Sequence, residues 1–302
     1  MNFFRSLPIL VTLTFLWLSA KPTDWLSAAP KMANPAPPVV ITERPILGVI
    51  APVPVEDRPA PKPQSKKKPS LDQRRQSARK AVAYRKLIAS GVPCHVVQVD
   101  LKSPHIRLRA VRAQDLGANS RSFRSFVLQT QPIAAITGTF FDTASEAIIC
   151  NLVRDGKLLE SGGAGHTLSL SRTNRAEWMS TAGVAGGRHD WSQSEFAVSG
   201  GPTLIRDGFI QLDAHSEGFS DPGLFRSAPR AGIATTPQGK LLLVTVNQNI
   251  TLTRFAQVMR SLGAQDAMNL DGGSSTALYA GGRYLAHPKR KLTNVIMVTL
   301  RP

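Results

Sequence analysis

The chain has 302 residues, with 37 Lys and Arg against 20 Asp and Glu and a formal net charge of +17. That balance suits anionic partners such as acidic glycans, lipid headgroups or nucleic acid, but aromatics at 6% and the lack of any nucleic-acid module pattern argue against nucleic acid. Neither CxxC nor HExxH occurs, so the sequence carries no strong metal signature.

Residues 1–20 (MNFFRSLPILVTLTFLWLSA) place Arg5 before an apolar run from Leu7 to Leu18, then small residues. This is the pattern of a secretory signal. Leu18-Ser19-Ala20 is an imperfect cleavage site, so a retained anchor is the alternative. Either way the expected location is secreted, periplasmic or on the outer side of the plasma membrane. Residues 21–70 hold 12 of the 22 prolines and the run Lys66-Lys67-Lys68, which predicts an extended basic linker that buries little. Residues 71–90 (LDQRRQSARKAVAYRKLIAS) predict a basic helix stopping at Gly91, with Ala78, Val82 and Leu87 turned inward. Residues 21–90 carry 14 Lys and Arg against 5 Asp and Glu, so much of the positive charge precedes the domain expected over 91–302. Contact of this tail with an anionic envelope surface is its sharper reading. Cys94 and Cys150 are the two cysteines, and export predicts a disulfide between them.

Inside the domain, 92–99 (VPCHVVQV) reads as a first strand and 105–111 (HIRLRAV) as a half-exposed second. Residues 121–130 suit a short helix with Phe123, Phe126 and Val127 inward. Residues 132–142 (PIAAITGTFFD) are an apolar strand broken by small polar residues, with Phe140 and Phe141 as a candidate wall for a sugar ring. A strand starts at Cys150-Asn151 and turns at Arg154-Asp155-Gly156-Lys157. His166 opens an alternating strand (166–171); a lone His there is more often a structural hydrogen bonder than a catalytic group. Residues 196–205 (FAVSGGPTLI) repeat the plan of strand, small residues and strand, then turn at Asp207-Gly208. Residues 211–225 are polar and aperiodic, a surface loop with His215, Glu217 and Asp221 left without a role. Arg230 enters a buried strand just after Pro229, which calls for an anionic partner.

The C-terminal third is the most informative. Strand 240–246 (KLLLVTV), helix 253–262 and strand 267–270 make a plausible βαβ unit. Asn269 and Asp271 then fall at the carboxyl end of a strand, where sheets of this kind bind ligands. Gly272 and Gly273 allow a sharp turn, the amides of Gly273, Ser274 and Ser275 form a candidate anion site, and Asp271 beside them suits acid, base or nucleophile. A plain Asp turn is the competing reading. Residues 294–300 (NVIMVTL) close the domain with a strand. The fold class expected is α+β: mixed β-sheets with a few packed helices.

Four segments now stand in order: TGTFF (137–141), SGGPTLIRDG (199–208), SAPRAGIATTPQGKLLLV (227–244) and NLDGGSSTAL (269–278). Together they resemble the phosphodiester glycosidase family over about residues 92–300, NLDGGSS most specifically. The sequence departs from many relatives at Thr137, where NGGFF is usual, and at Asn247-Gln248-Asn249, where Asp-Gly is usual. The resemblance implies hydrolysis of a sugar-1-phosphate diester without a cofactor, on a sugar-phosphate or anionic glycan substrate. It carries over Asn269, Asp271 and Arg230 as catalytic positions. Gly138, Thr139, Ser199, Gly200, Gly272, Gly273 and Ser274 are expected to bind substrate. Asp142 and Glu160 are the candidates for a second carboxylate. The alternative is a protein that binds a glycan or wall polymer in the same cleft without turnover.

Overall fold

The computed structural model describes residues 69–183 and 188–302. The expected leader (1–20) and almost all of the expected linker (21–70) lie outside the described residues. Helix α1 (Leu71–Lys80) starts at Ser70, whose hydroxyl accepts from the Gln73 amide while Gln73 reaches back to the Ser70 amide. Its one buried side chain is Ala78. The second half of the predicted basic helix is instead a strand, β1 (Val82–Ala89), paired antiparallel with β2 (Val92–Asp100). Ser90 and Gly91 both have positive φ (48° and 73°), the turn that suits a two-residue hairpin.

Among the described residues there are three sheets and four α-helices, and every strand pairing is antiparallel, so the fold is mainly β and its sheets are not mixed. In chain order the remaining elements are β3 (Ile106–Arg112), α2 (Phe123–Thr130), β4 (Ala134–Thr137), β5 (Leu152–Arg154), β6 (Lys157–Glu160), β7 (His166–Ser171) and β8 (Ala176–Ser180). Then come β9 (Ser194–Gly200), β10 (Thr203–Arg206), β11 (Phe209–Ile210), α3 (Pro222–Phe225), β12 (Ala228–Thr235) and β13 (Lys240–Ile250). Helix α4 (Leu252–Ser261), β14 (Asp266–Asn269), β15 (Leu278–Ala280), β16 (Arg283–Ala286) and β17 (Asn294–Leu300) complete them. The first sheet has the order β1-β2-β13-β12-β14-β10-β11, the second β16-β15-β4-β17-β3 and the third β6-β5-β9-β7-β8.

Strand, helix and strand do follow one another at β13, α4 and β14. The two strands are not neighbours, because β12 lies between them and runs antiparallel to both. The unit is thus a split crossover.

Period-two alternation explains the layers. In β2 and β13 the odd residues Val97, Val99, Leu241 and Leu243 enter a core shared by all three sheets, with Leu108, Ile136 and Ile296 from the second and Leu168, Phe196 and Val198 from the third. The even residues Cys94, Val96, Leu242 and Val244 face α4, which supplies Phe255, Val258 and Met259. Helix α2 covers the outer face of the second sheet with Phe123, Phe126 and Val127 against Ala135, Val295 and Met297.

This layering separates the cysteines. Cys94 packs under α4, while Cys150 lies beside Thr139 and Phe140. Both thiols are buried and free, so the expected disulfide is absent, and burial pushes each thiol up to about 11. Thiol labelling of the denatured, unreduced protein should count two free cysteines; a count of zero would contradict this arrangement.

Candidate functional site

Three strand ends, one from each sheet, meet at a common floor: β4 at Thr137, β9 at Gly200 and β14 at Asn269. The Asp271 amide donates to the Gly138 carbonyl (3.2 Å), and the Thr139 hydroxyl to the Ser199 carbonyl (2.5 Å). The Gly201 amide donates to the Asn269 carbonyl (2.8 Å), and Asn269 Nδ2 returns a bond to the Gly201 carbonyl (3.1 Å). Residues 137–139, 199–201 and 269–271 are thereby one hydrogen-bonded unit. The fourth segment flanks it, since the Leu270 amide donates to the Ala231 carbonyl (2.8 Å).

Asn294, at the start of β17, clamps the floor from below. Its Oδ1 accepts from the Thr139 amide (2.7 Å) and its Nδ2 donates to the Thr139 carbonyl (3.0 Å), so one side chain imitates a strand partner. This explains Gly138, where a Cβ would lie 1.8 Å from Asn294 Oδ1. Gly272 is constrained in the same way, because a Cβ there would lie 2.9 Å from the Pro229 carbonyl.

Asp271 sits on this floor, 6% exposed. Arg290 Nη2 donates to both its oxygens (3.1 and 3.4 Å), and Arg290 Nε donates to the Ser275 hydroxyl (2.6 Å). The guanidinium also lies over the Phe141 ring, 4.5 Å from its centroid. Burial pushes the carboxyl up to about 6, opposed by Ser275 and Arg290. Of the three turn amides, that of Ser275 is already committed to the Gly272 carbonyl (2.9 Å). Those of Gly273 and Ser274, the first of a short 3-10 turn, have no acceptor among the described residues.

Arg230 does not join this group. It lies on the α4 face of β12, buried, with Nε donating to the Ile250 carbonyl (3.1 Å) and Nη2 to the carbonyls of Leu224 (3.1 Å) and Arg226. No carboxylate among the described residues pairs with it, and burial pushes it down to about 10. The anion expected for it is replaced by three carbonyl oxygens, which pin the 224–226 segment to the start of α4. Arg290, from a basic stretch (288–291, PKRK) not singled out from the sequence, sits beside Asp271 instead.

Neither carboxylate proposed as a second acid meets Asp271. Asp142 is exposed and caps its own turn at Ala144 and Ser145 (3.1 and 2.7 Å), and Glu160 pairs with Arg112 (2.7 Å). Ser199 Oγ is buried in a hydroxyl chain through Thr167 (2.5 Å) to Thr181 (3.0 Å). Asn269 Oδ1 is buried with no partner among the described residues. In the loop 211–225, His215 stacks on Phe225 and Asp221 caps α3, but Glu217 is buried and accepts the Thr203 amide (2.9 Å). His166 joins it, bonded to Thr203 Oγ1 (2.6 Å) and Arg206, which makes it a structural hydrogen bonder. Among the described residues no three His, Cys, Asp or Glu side chains gather to hold a metal.

The clamp gives a direct test. Asn294→Ala leaves both backbone groups of Thr139 buried and unpaired, at a cost of about 2–4 kcal/mol. A thermal or urea titration should show a loss of that order, and Gly138→Ala should cost at least as much through its clash with Asn294.

The phosphodiester glycosidase family model matches residues 130–299, more than half of the chain, and covers all four segments. No curated protein matches the chain in sequence. Among solved structures the chain is similar to a hypothetical protein from Synechocystis (TM-score 0.65, 18% identity), covering 74% of this chain and 62% of that one. It is also similar to the zebrafish N-acetylglucosamine-1-phosphodiester alpha-N-acetylglucosaminidase catalytic domain, auto-inhibited by its pro-peptide (TM-score 0.58, 17% identity), covering 73% of this chain and 82% of that one. At such identities the structures speak for the fold, and the family match speaks for the sequence: the chain belongs to the phosphodiester glycosidase family.

Proposed function

We propose that this protein hydrolyses a sugar-1-phosphate diester, with Asp271 as the general base. The observation that carries the reading is Asp271 itself. It is a buried carboxyl poised at about 6, on a floor built from three family segments and facing a guanidinium and unpaired amides. Water attacks the anomeric carbon, Asp271 takes its proton, and the bond from that carbon to the phosphate oxygen breaks with its electron pair leaving on the phosphate. A carboxyl near 6 is a stronger base than an ordinary one and still ionised at neutral pH. A phosphate leaves without prior protonation, so a single carboxylate is enough. The leaving charge is met by Arg290, whose Nη1 has no protein acceptor among the described residues, and by the amides of Gly273 and Ser274. The Phe141 ring, under the Arg290 guanidinium, is the aromatic surface beside the sugar. Arg230 acts at one remove, holding the 224–226 segment. We place the enzyme outside the plasma membrane on the strength of residues 1–20.

Binding without turnover remains the competing reading. Its support is Asn247, which stands where many relatives have Asp; here it is exposed and donates to the Leu285 carbonyl (3.3 Å). Release of nitrophenol-linked or nucleotide-linked sugar from its phosphate decides between the two.

Asp271→Asn should lower kcat by at least about a hundredfold, as for loss of a general base, with the fold kept. A carboxyl raised on folding binds its proton more tightly in the native state, so the parent loses stability as pH rises from about 4 to about 6. The Asn variant lacks that loss, and melting curves should show it gaining on the parent across the same window. In the parent, kcat/KM should rise through an apparent pKa near 6. Arg290→Gln removes the cation holding Asp271 down, so this limb should move up by roughly one unit. A limb that stays in place would dissociate Arg290 from the base.

A further inference from the structure

The basic side chains beside the site form a continuous groove. A pocket of about 530 Å³ next to Arg290 is lined by Arg124, Lys289 and Lys291. It shares Arg124 and Tyr284 with a larger pocket of about 770 Å³ that carries Arg75 and Arg79 of α1. A third, of about 510 Å³, continues from Arg79 and Tyr279 to Tyr84. No Asp or Glu lines any of the three. Arg75 pairs with Asp72 at 3.9 Å on the exposed face of α1, a contact worth little. Among the described residues Arg79, Arg124, Lys289 and Lys291 have no carboxylate partner. Arg290 lines the groove and bonds Asp271, so one side chain links the groove to the candidate base.

We propose that this groove seats a linear polymer of sugars joined by phosphodiesters and leads its glycosyl-phosphate end to Asp271. The delivery of that end rests on the hydrolase reading; the binding does not. Exposed cations are screened within about 10 Å, so a single phosphate gains little from any one of them. A chain with a phosphate in every repeat meets several in turn. Tyr279 and Tyr284 offer ring edges to the sugars between. They lean on each other at 5.2 Å and 55°, and Tyr284 stands edge-on to Phe123, which leaves no flat platform for stacked bases. Leu128, 62% exposed, is the one large apolar side chain projecting at the groove, too little to anchor the face in a bilayer.

The test is binding of a fluorescent hexose polymer joined by phosphodiesters to the full chain carrying Asp271→Asn, read by anisotropy without turnover. A chain of about ten repeats should bind at least about tenfold more tightly than a single hexose phosphate, with a steep salt dependence. It should also bind more tightly than a thymidine oligonucleotide with the same number of phosphates. The double variant Arg124→Glu/Lys291→Glu should lose that advantage with its thermal midpoint kept. Arg79→Glu, at the far end, should weaken the long chain and spare one of about three repeats, as a track requires. The proposal is overturned if the oligonucleotide binds as tightly as the long chain. It is overturned equally if the double variant binds like the parent. Because no turnover is needed, a protein that binds the polymer and hydrolyses nothing loses the hydrolase reading and keeps this one.

Discussion

The site depends on a handful of hydrogen bonds that tie three sheets together where their strands end. Asp271 to Gly138, Thr139 to Ser199 and Gly201 to Asn269 each join a different pair of sheets. Each is a short-range contact between residues far apart in sequence, so none forms until the sheets have packed on their common core. The core therefore does more than stabilise. It sets the register of three loops to within a hydrogen bond, the tolerance that catalysis on a fixed substrate needs.

Desolvation acts differently on Asp271 and Arg230. Asp271 and Arg230 are both buried, and burial moves each toward its neutral form. Arg230 is held by carbonyl dipoles, which accept from its Nε and Nη2 without offering a counter-charge. Asp271 keeps one cation and one hydroxyl, few enough to leave it near the middle of its titration at the pH where a base is useful. One low-dielectric interior thus holds a guanidinium on carbonyl oxygens in one place and leaves a carboxyl free to titrate near 6 in another.

Much of this was legible in the sequence, and the misses have physical causes. β2, β3, α2, α4, β14 and β17 appeared within a residue or two of their places, because alternation and helical periodicity report burial directly. β1 was hidden because Ala, Arg, Lys and Leu favour helix, and only the Ser90-Gly91 turn marks the hairpin. The antiparallel insertion of β12 between β13 and β14 is a matter of long-range pairing, on which local pattern is silent. At the site, glycines and Asp271 stood out by residue type. Arg290 did not, since nothing local distinguishes the one arginine of a basic stretch that turns inward. The disulfide failed for a similar reason: the compartment argues for a bond, but only the fold decides whether two sulfurs meet.

The clamp by Asn294 also orders events in time. Asn294 follows every floor residue it organises, and β17, which it begins, is the strand that joins β3 to β4 in the second sheet. A chain still leaving the ribosome therefore holds Asp271 before it holds the part that fixes Thr139 and Gly138 beneath it. The floor is complete only with the closing strand, and a nascent or clipped chain lacking that strand lacks the clamp on which the floor rests.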